Sequence, residues 1–179
     1  MPNWCFNTIS VFGPKEDVDK FLLEARGEDN QFFDFDRIIS MPDELKGTEF
    51  PNLKTSEEKK KELKAKFDAD NWYDWSMQNW GVKWNANCSD DWEGIESAKG
   101  ALATISIETA GGPPNELLIN ASKKHKKLSF TNEFYECGMC FLGTASFEKG
   151  VITIRQPDWD SKEGIAMRKE FGIYQEDEE

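Results

Sequence analysis

Two short blocks mix aromatic and amide side chains in a way that could do chemistry. One is Asn79-Trp80-Gly81-Val82-Lys83-Trp84-Asn85-Ala86 and the other is Asn3-Trp4-Cys5-Phe6-Asn7. Trp80 and Trp84 are four residues apart, so they share a face whether the stretch is helix or strand. Indole rings flanked by Asn79, Lys83 and Asn85 suit a flat ligand or a partner's side chain, through stacking and directional hydrogen bonds. The plainer reading is that these Trp pack over a sheet edge, while Asn79 and Asn85 satisfy the backbone of a buried loop. Trp4 and Asn7 are expected to converge on the same region. With Trp72, Trp75 and Glu136, these residues form the candidate binding set: Trp4, Asn7, Trp72, Trp75, Asn79, Trp80, Lys83, Trp84, Asn85 and Glu136.

Other reactive residue types fall short of a catalytic pattern. Cys137-Gly138-Met139-Cys140 is a lone Cys-x-x-Cys; with Cys5 and Cys88 it supplies the four thiolates of a tetrahedral zinc site. The spacing lacks a second pair and falls across an expected hairpin turn, so packed free thiols are the simpler expectation. A redox motif would open a helix, whose N-terminus lowers the thiol pKa. His125 is the single histidine and lies in the basic run Lys123–Lys127, which excludes a two-His centre. Glu133 and Glu136 fall on opposite faces of a strand, which disfavours joint acid–base work. Gly111-Gly112-Pro113-Pro114 lacks the Lys of a phosphate cradle. No catalytic residue and no cofactor is expected.

The elements that must carry these residues follow from hydrophobic spacing. Residues 6–12 alternate as a strand, Gly13-Pro14 turns the chain, and Lys15 to Arg26 repeats apolar residues at helical spacing, with Gly27 as its expected C-cap. Gln31 to Met41 reads as a second strand or extended segment. Residues 57–67 predict an exposed charged helix and 101–109 a strand. A helix follows from Pro114 or Asn115, with Asn115 available to cap. Residues 128–135, 139–147 and 151–156 predict three hairpin-linked strands, and 162–171 a short helix. The order is that of an α+β fold, a ferredoxin-like split β-α-β core with an antiparallel sheet and an added C-terminal β-hairpin. The expected domain spans 1–156, with a helical insertion at 43–86 that includes the Trp-rich block. A polar C-terminal extension at 157–179 carries the short helix and an acidic tail.

At these blocks the sequence resembles the YubB ferredoxin-like family of phage- and plasmid-encoded proteins. Met1-Pro2-Asn3-Trp4-Cys5-Phe6-Asn7 is similar to its opening. Residues 79–86 are similar to its Asn-Trp-Gly-Thr-Lys-Trp-Asn-Ala block, with Val82 in place of the usual Thr. Pro113-Pro114 fits the next block, where a Trp commonly precedes the Pro and Ala110-Gly111-Gly112 stands here. Glu133 to Gly138, with Phe141 and Gly143, is similar to the last block. The resemblance implies a fold and a mobile-element setting, and transfers no catalytic residue.

Composition narrows the partners. Hydrophobic residues at 38% and aromatics at 13% suffice for a buried core. A net charge of −12 disfavours wrapping a phosphate backbone, which needs many Lys and Arg contacts. No run approaches the roughly 18 apolar residues of a membrane span, and the N-terminus lacks the pattern of an export signal. With the mobile-element setting that the resemblance implies, the expectation is a non-enzymatic protein-binding protein of the bacterial cytosol with a bacterial protein partner. One version is a mobile-element inhibitor of a host defence or nucleic-acid enzyme. A small-molecule or nucleotide-binding enzyme using a Trp/Asn pocket and a nucleic-acid-binding ferredoxin-like module are the alternatives.

Overall fold

The computed structural model describes residues 3–28, 31–88, 93–97 and 100–173; the acidic tail lies outside them. In chain order the elements are β1 (Trp4–Gly13), α1 (Lys15–Ala25), α2 (Phe35–Ile38), α3 (Asp43–Lys46), α4 (Glu57–Phe67) and α5 (Trp72–Asn79). Then come β2 (Glu93–Ser97), β3 (Gly100–Ala110), α6 (Asn115–Lys124), β4 (Ser129–Glu136), β5 (Phe141–Glu148), β6 (Val151–Arg155) and α7 (Lys162–Glu170).

The strands form one antiparallel sheet in the order β2-β3-β1-β4-β5-β6. β1 sits between β3 and β4, facing Ile105 and Asn132 at Ile9. The chain leaves β1 through α1 and returns at β2 with β3 between them; it leaves β3 through α6 and returns at β4 with β1 between them. This is an α+β fold of an open antiparallel sheet and helices, consistent with the ferredoxin-like type.

Alternation decides which side chains face the helices. Cys5, Asn7, Ile9 and Val11 on β1, Ala103, Ile105, Ile107 and Thr109 on β3, and Phe130, Asn132, Phe134 and Glu136 on β4 are all buried. Against them α1 sets Val18, Phe21, Leu22 and Ala25, and α6 sets Leu117, Leu118 and Ala121. Phe21 is the centre of this layer, edge-on to Phe130 at 5.1 Å and to Phe33 at 6.3 Å. Such pairs add about 0.5–1.5 kcal/mol beyond the area they bury.

The opposite face of the sheet is covered at one corner. Leu142 of β5 points away from the helical layer and is buried under Trp159 and Met167, with Tyr135 and Phe171 beside them. Thus α7 and the turn before it dock on the second face, while Phe6, Phe12, Ser106, Thr131, Glu133 and Ser146 on that face are exposed.

Several expectations need correction. Residues 31–41 form no strand: Asp34 caps α2 by accepting from the Asp36 N–H at 2.9 Å, and Phe35 and Ile38, three apart, turn into the core. The strand that flanks β3 on the side away from β1 is instead Glu93–Ser97. Gly27 does not end α1 in a left-handed conformation; Arg26 ends it extended, and Gly27 is required by close approach, since a Cβ there would sit 2.8 Å from an Asp34 carboxylate oxygen. Asn115 does not cap α6: Pro114 holds the N-cap position without a side-chain bond, and Asn115 Oδ1 is buried without a partner.

Candidate functional site

The Trp-rich block is neither helix nor strand, so the shared face expected for Trp80 and Trp84 does not exist. Trp80 ends α5, and Gly81 then takes φ +81, which reverses the chain against the N-terminus of α6. A Cβ on Gly81 would meet the Glu116 nitrogen at 3.2 Å and the Asn115 nitrogen at 3.3 Å, so the position needs glycine on both counts. Trp80 turns inward: it is 6% exposed, its Nε1–H donates to the Ile39 carbonyl at 2.9 Å, and it lies edge-on to Trp75 at 5.5 Å and to Phe35 at 5.9 Å. Trp84 turns outward and is 42% exposed. Its ring lies 6.4 Å from that of Trp4, and the Lys83 ammonium sits 4.1 Å over it.

The amides of the set are occupied by the fold. Asn85 Oδ1 accepts from the Phe35 and Ala86 N–H groups at 2.8 Å each, and its Nδ2 donates to Asp34 at 2.7 Å. Asn79 donates to the Trp75 carbonyl at 2.9 Å, and its own carbonyl accepts from Asn120 at 3.2 Å. Asn7 lies beneath the sheet at 2% exposure. Its Nδ2 donates to Thr109 Oγ1 at 2.8 Å and to the Cys5 carbonyl at 2.9 Å, while its Oδ1 accepts from Asn132 at 3.0 Å. Asn7, Thr109 and Asn132 therefore stitch the three central strands together across the helical face. Trp75 is buried, and Trp72 is half-buried with its N–H donating to Thr48 Oγ1 at 2.8 Å. Glu136 is buried too, and its carboxylate accepts from the Gly138 N–H at 2.8 Å and from the Met139 N–H, which fixes the β4–β5 turn.

Of the candidate set, Trp4 and Trp84 stay accessible, beside the uncovered face of the sheet. Trp4 and Phe6 share that face of β1, and Phe6 stacks on Tyr135 of β4 at 5.0 Å with 17° between the rings. Trp84, Trp4, Phe6 and Tyr135 thus form an aromatic strip across the central strands, with Phe6 41% exposed. Glu108 on β3 and Glu133 on β4 stand beside it, at the register positions opposite Phe6 and Thr8. Burial, with the neighbouring thiols and Glu108, pushes the Tyr135 hydroxyl up, so the phenol is neutral. Further along the face, Thr131, Glu133, Thr144, Ser146, Thr153 and Arg155 line a groove of about 300 Å³. The aromatic strip was legible only in part, because strand alternation alone marks Phe6 and Tyr135 for that face.

The thiols do not gather. Among the described residues no group of three or more His, Cys, Asp or Glu side chains is placed to hold a metal ion. Cys5 is buried in the core, where burial first and Glu136 second push its thiol up to about 12. Cys88 donates to the Phe33 carbonyl at 3.4 Å, and Cys137 and Cys140 are exposed on the β4–β5 turn.

His125 and its basic neighbours are also engaged by the fold. The imidazole is not solvated: it packs edge-on to Phe21 at 5.1 Å, and burial pulls its pKa below 6.5 despite Glu24 nearby. Lys124 pairs with Glu24 and Lys127 with Asp17, while Lys123 reaches Asn120 at 3.5 Å. The Lys123–Lys127 run is thereby largely spent on neighbouring side chains rather than laid out as a phosphate track.

No family model and no curated protein matches the sequence. Among solved structures, a protein api92 from Yersinia pseudotuberculosis, assigned to family model DUF1281, is similar at 13% identity and a TM-score of 0.38. The match covers 51% of this chain and 31% of that one. Among the described residues no helix is long and apolar enough to cross a membrane.

Proposed function

We propose that this chain is a non-enzymatic interaction protein of the ferredoxin-like, YubB-like type, whose contact surface is the uncovered face of its sheet. The observation that carries this reading is the strip Trp84–Trp4–Phe6–Tyr135. Its rings are held by their neighbours, Phe6 on Tyr135 at 5.0 Å and Trp4 by Trp84 at 6.4 Å. Rings held in this way lose little entropy on binding, and exposed Trp and Tyr are the usual anchors of protein interfaces. Glu108 and Glu133 beside the strip, on a chain of net charge −12, favour a partner with basic residues around an apolar patch. An acidic, aromatic face of this kind suits a mobile-element inhibitor lying in the basic groove of a host defence or nucleic-acid enzyme in the bacterial cytosol.

The pocket reading loses its residues, since Trp80 and Asn85 have their polar atoms bonded within the fold. The stacked Phe6 and Tyr135 would accept a nucleic-acid base, but the carboxylates flanking them repel the phosphates that any strand brings.

The test is capture from a lysate of the natural host with the wild-type chain and with a Phe6→Ser/Trp84→Ser variant, followed by titration of the purified partner. The expected result is a protein enriched by wild type and bound at least about tenfold more weakly by the variant, as loss of an aromatic anchor implies. Equal enrichment by both chains, or recovery of nucleic acid alone, overturns the reading.

A further inference from the structure

The β4–β5 turn carries a feature that the interaction surface does not use. Cys137 and Cys140 are its first and fourth residues: the Cys140 N–H donates to the Cys137 carbonyl at 3.3 Å, and the Cys140 thiol lies 3.4 Å from the same oxygen. Both side chains are exposed. The ladder closes just behind them at the pair Glu136↔Phe141.

We propose that Cys137 and Cys140 form a two-electron dithiol switch that closes to an intramolecular disulfide on the surface of the hairpin. The first and fourth Cα atoms of a β-turn lie within about 7 Å of each other, and a disulfide joins Cα atoms about 4.4–6.8 Å apart. The Cα separation of the turn therefore falls within the reach of the bond. Glu136 grips the turn from inside, through the Gly138 and Met139 N–H groups, and so fixes the backbone between the two cysteines. The other thiols do not compete. Cys5 is 0% exposed, and Cys88 is half-buried and bonded to Phe33.

The oxidant is a low-molecular-weight disulfide such as oxidised glutathione. One thiol of the pair loses its proton and attacks a glutathione sulfur, giving a mixed disulfide and one glutathione thiolate. The second thiol then loses its proton and attacks the protein-borne sulfur, forming the Cys137–Cys140 bond and releasing the second glutathione. Two electrons pass from the protein to one glutathione disulfide, and the two protons end on two glutathione thiols. Burial and Glu136 hold the Cys137 thiol above its ordinary range, so closure quickens as pH rises.

The folded protein is equilibrated with glutathione buffers from fully reduced to fully oxidised. It is then quenched with an alkylating mass tag and mapped by peptide mass spectrometry. The expected result is the concerted loss of two tags from the 137–140 peptide, with no glutathione retained and with Cys5 and Cys88 unchanged. Cys137→Ser and Cys140→Ser should each trap the mixed disulfide at the remaining thiol. Stable glutathione adducts on the wild-type pair, disulfide-linked dimers, or both thiols still tagged in fully oxidised buffer would overturn the proposal. None of these outcomes depends on whether the aromatic strip binds a partner.

Discussion

Trp80 and Trp84 belong to one short motif and have opposite tasks. Trp80→Ala removes a buried ring and orphans the Ile39 carbonyl, so a loss of about 3–5 kcal/mol is expected. Trp84→Ala removes a ring that is 42% exposed, and its cost should stay within about 1 kcal/mol. Urea midpoints of the two variants test the contrast. Asn7→Ala leaves the buried Asn132 amide N–H without its acceptor and takes one bond from the Thr109 hydroxyl, which keeps the Gly112 carbonyl, so about 1–3 kcal/mol is expected by the same measurement. The motif's composition was legible; its geometry was not, because the direction of each indole depends on the reversal at Gly81. His125 supplies a pH signature. Its folded pKa lies below the 6.5 of the free side chain. The unfolded chain therefore binds the proton more readily, and stability falls as pH drops below about 6.5. His125→Phe should flatten that acid limb in unfolding curves measured between pH 8 and 5.

Elements with a clear period could be read directly: β1, β3 to β6, α1, α4, α6 and α7 all lie near their expected spans. β2 could not. Glu93-Gly94-Ile95-Glu96-Ser97 has one strongly apolar residue and becomes a strand through its backbone ladder to β3, a tertiary effect that no local pattern carries. Residues 31–41 misled for the converse reason. Phe32, Phe33 and Phe35 have high strand propensity, but the Asp34 cap and the Asn85 amide bend that backbone into α2. Met167→Lys places an ammonium against Leu142 and Trp159, so α7 should detach while the six-stranded sheet stays folded. Fast amide exchange confined to residues 158–173, with the protection of β1 and β4 retained, is the expected readout.

At the scale of the whole molecule, the sheet has one face sealed by helices and a second face sealed at one corner. The aromatic strip therefore stays wet in the free protein, and its burial is left to a partner. A chain of net charge −12 should also attract a basic partner over long range. The association rate is expected to fall several-fold between about 50 and 300 mM salt, with the dissociation rate far less affected, as rapid-mixing kinetics would show.

The position of β1 has a consequence in time. It is made before the other strands of this sheet, and both of its neighbours, β3 and β4, come much later in the chain. At about 5–20 residues per second, the roughly 90 residues between β1 and β3 take about 4–18 s to synthesise. Through that interval Phe6, Ile9, Val11 and Phe12 have no ladder to join. The newborn chain must carry its future centre as an unpaired apolar segment, open to whatever binds sticky strands first, until Ile105 emerges to meet Ile9.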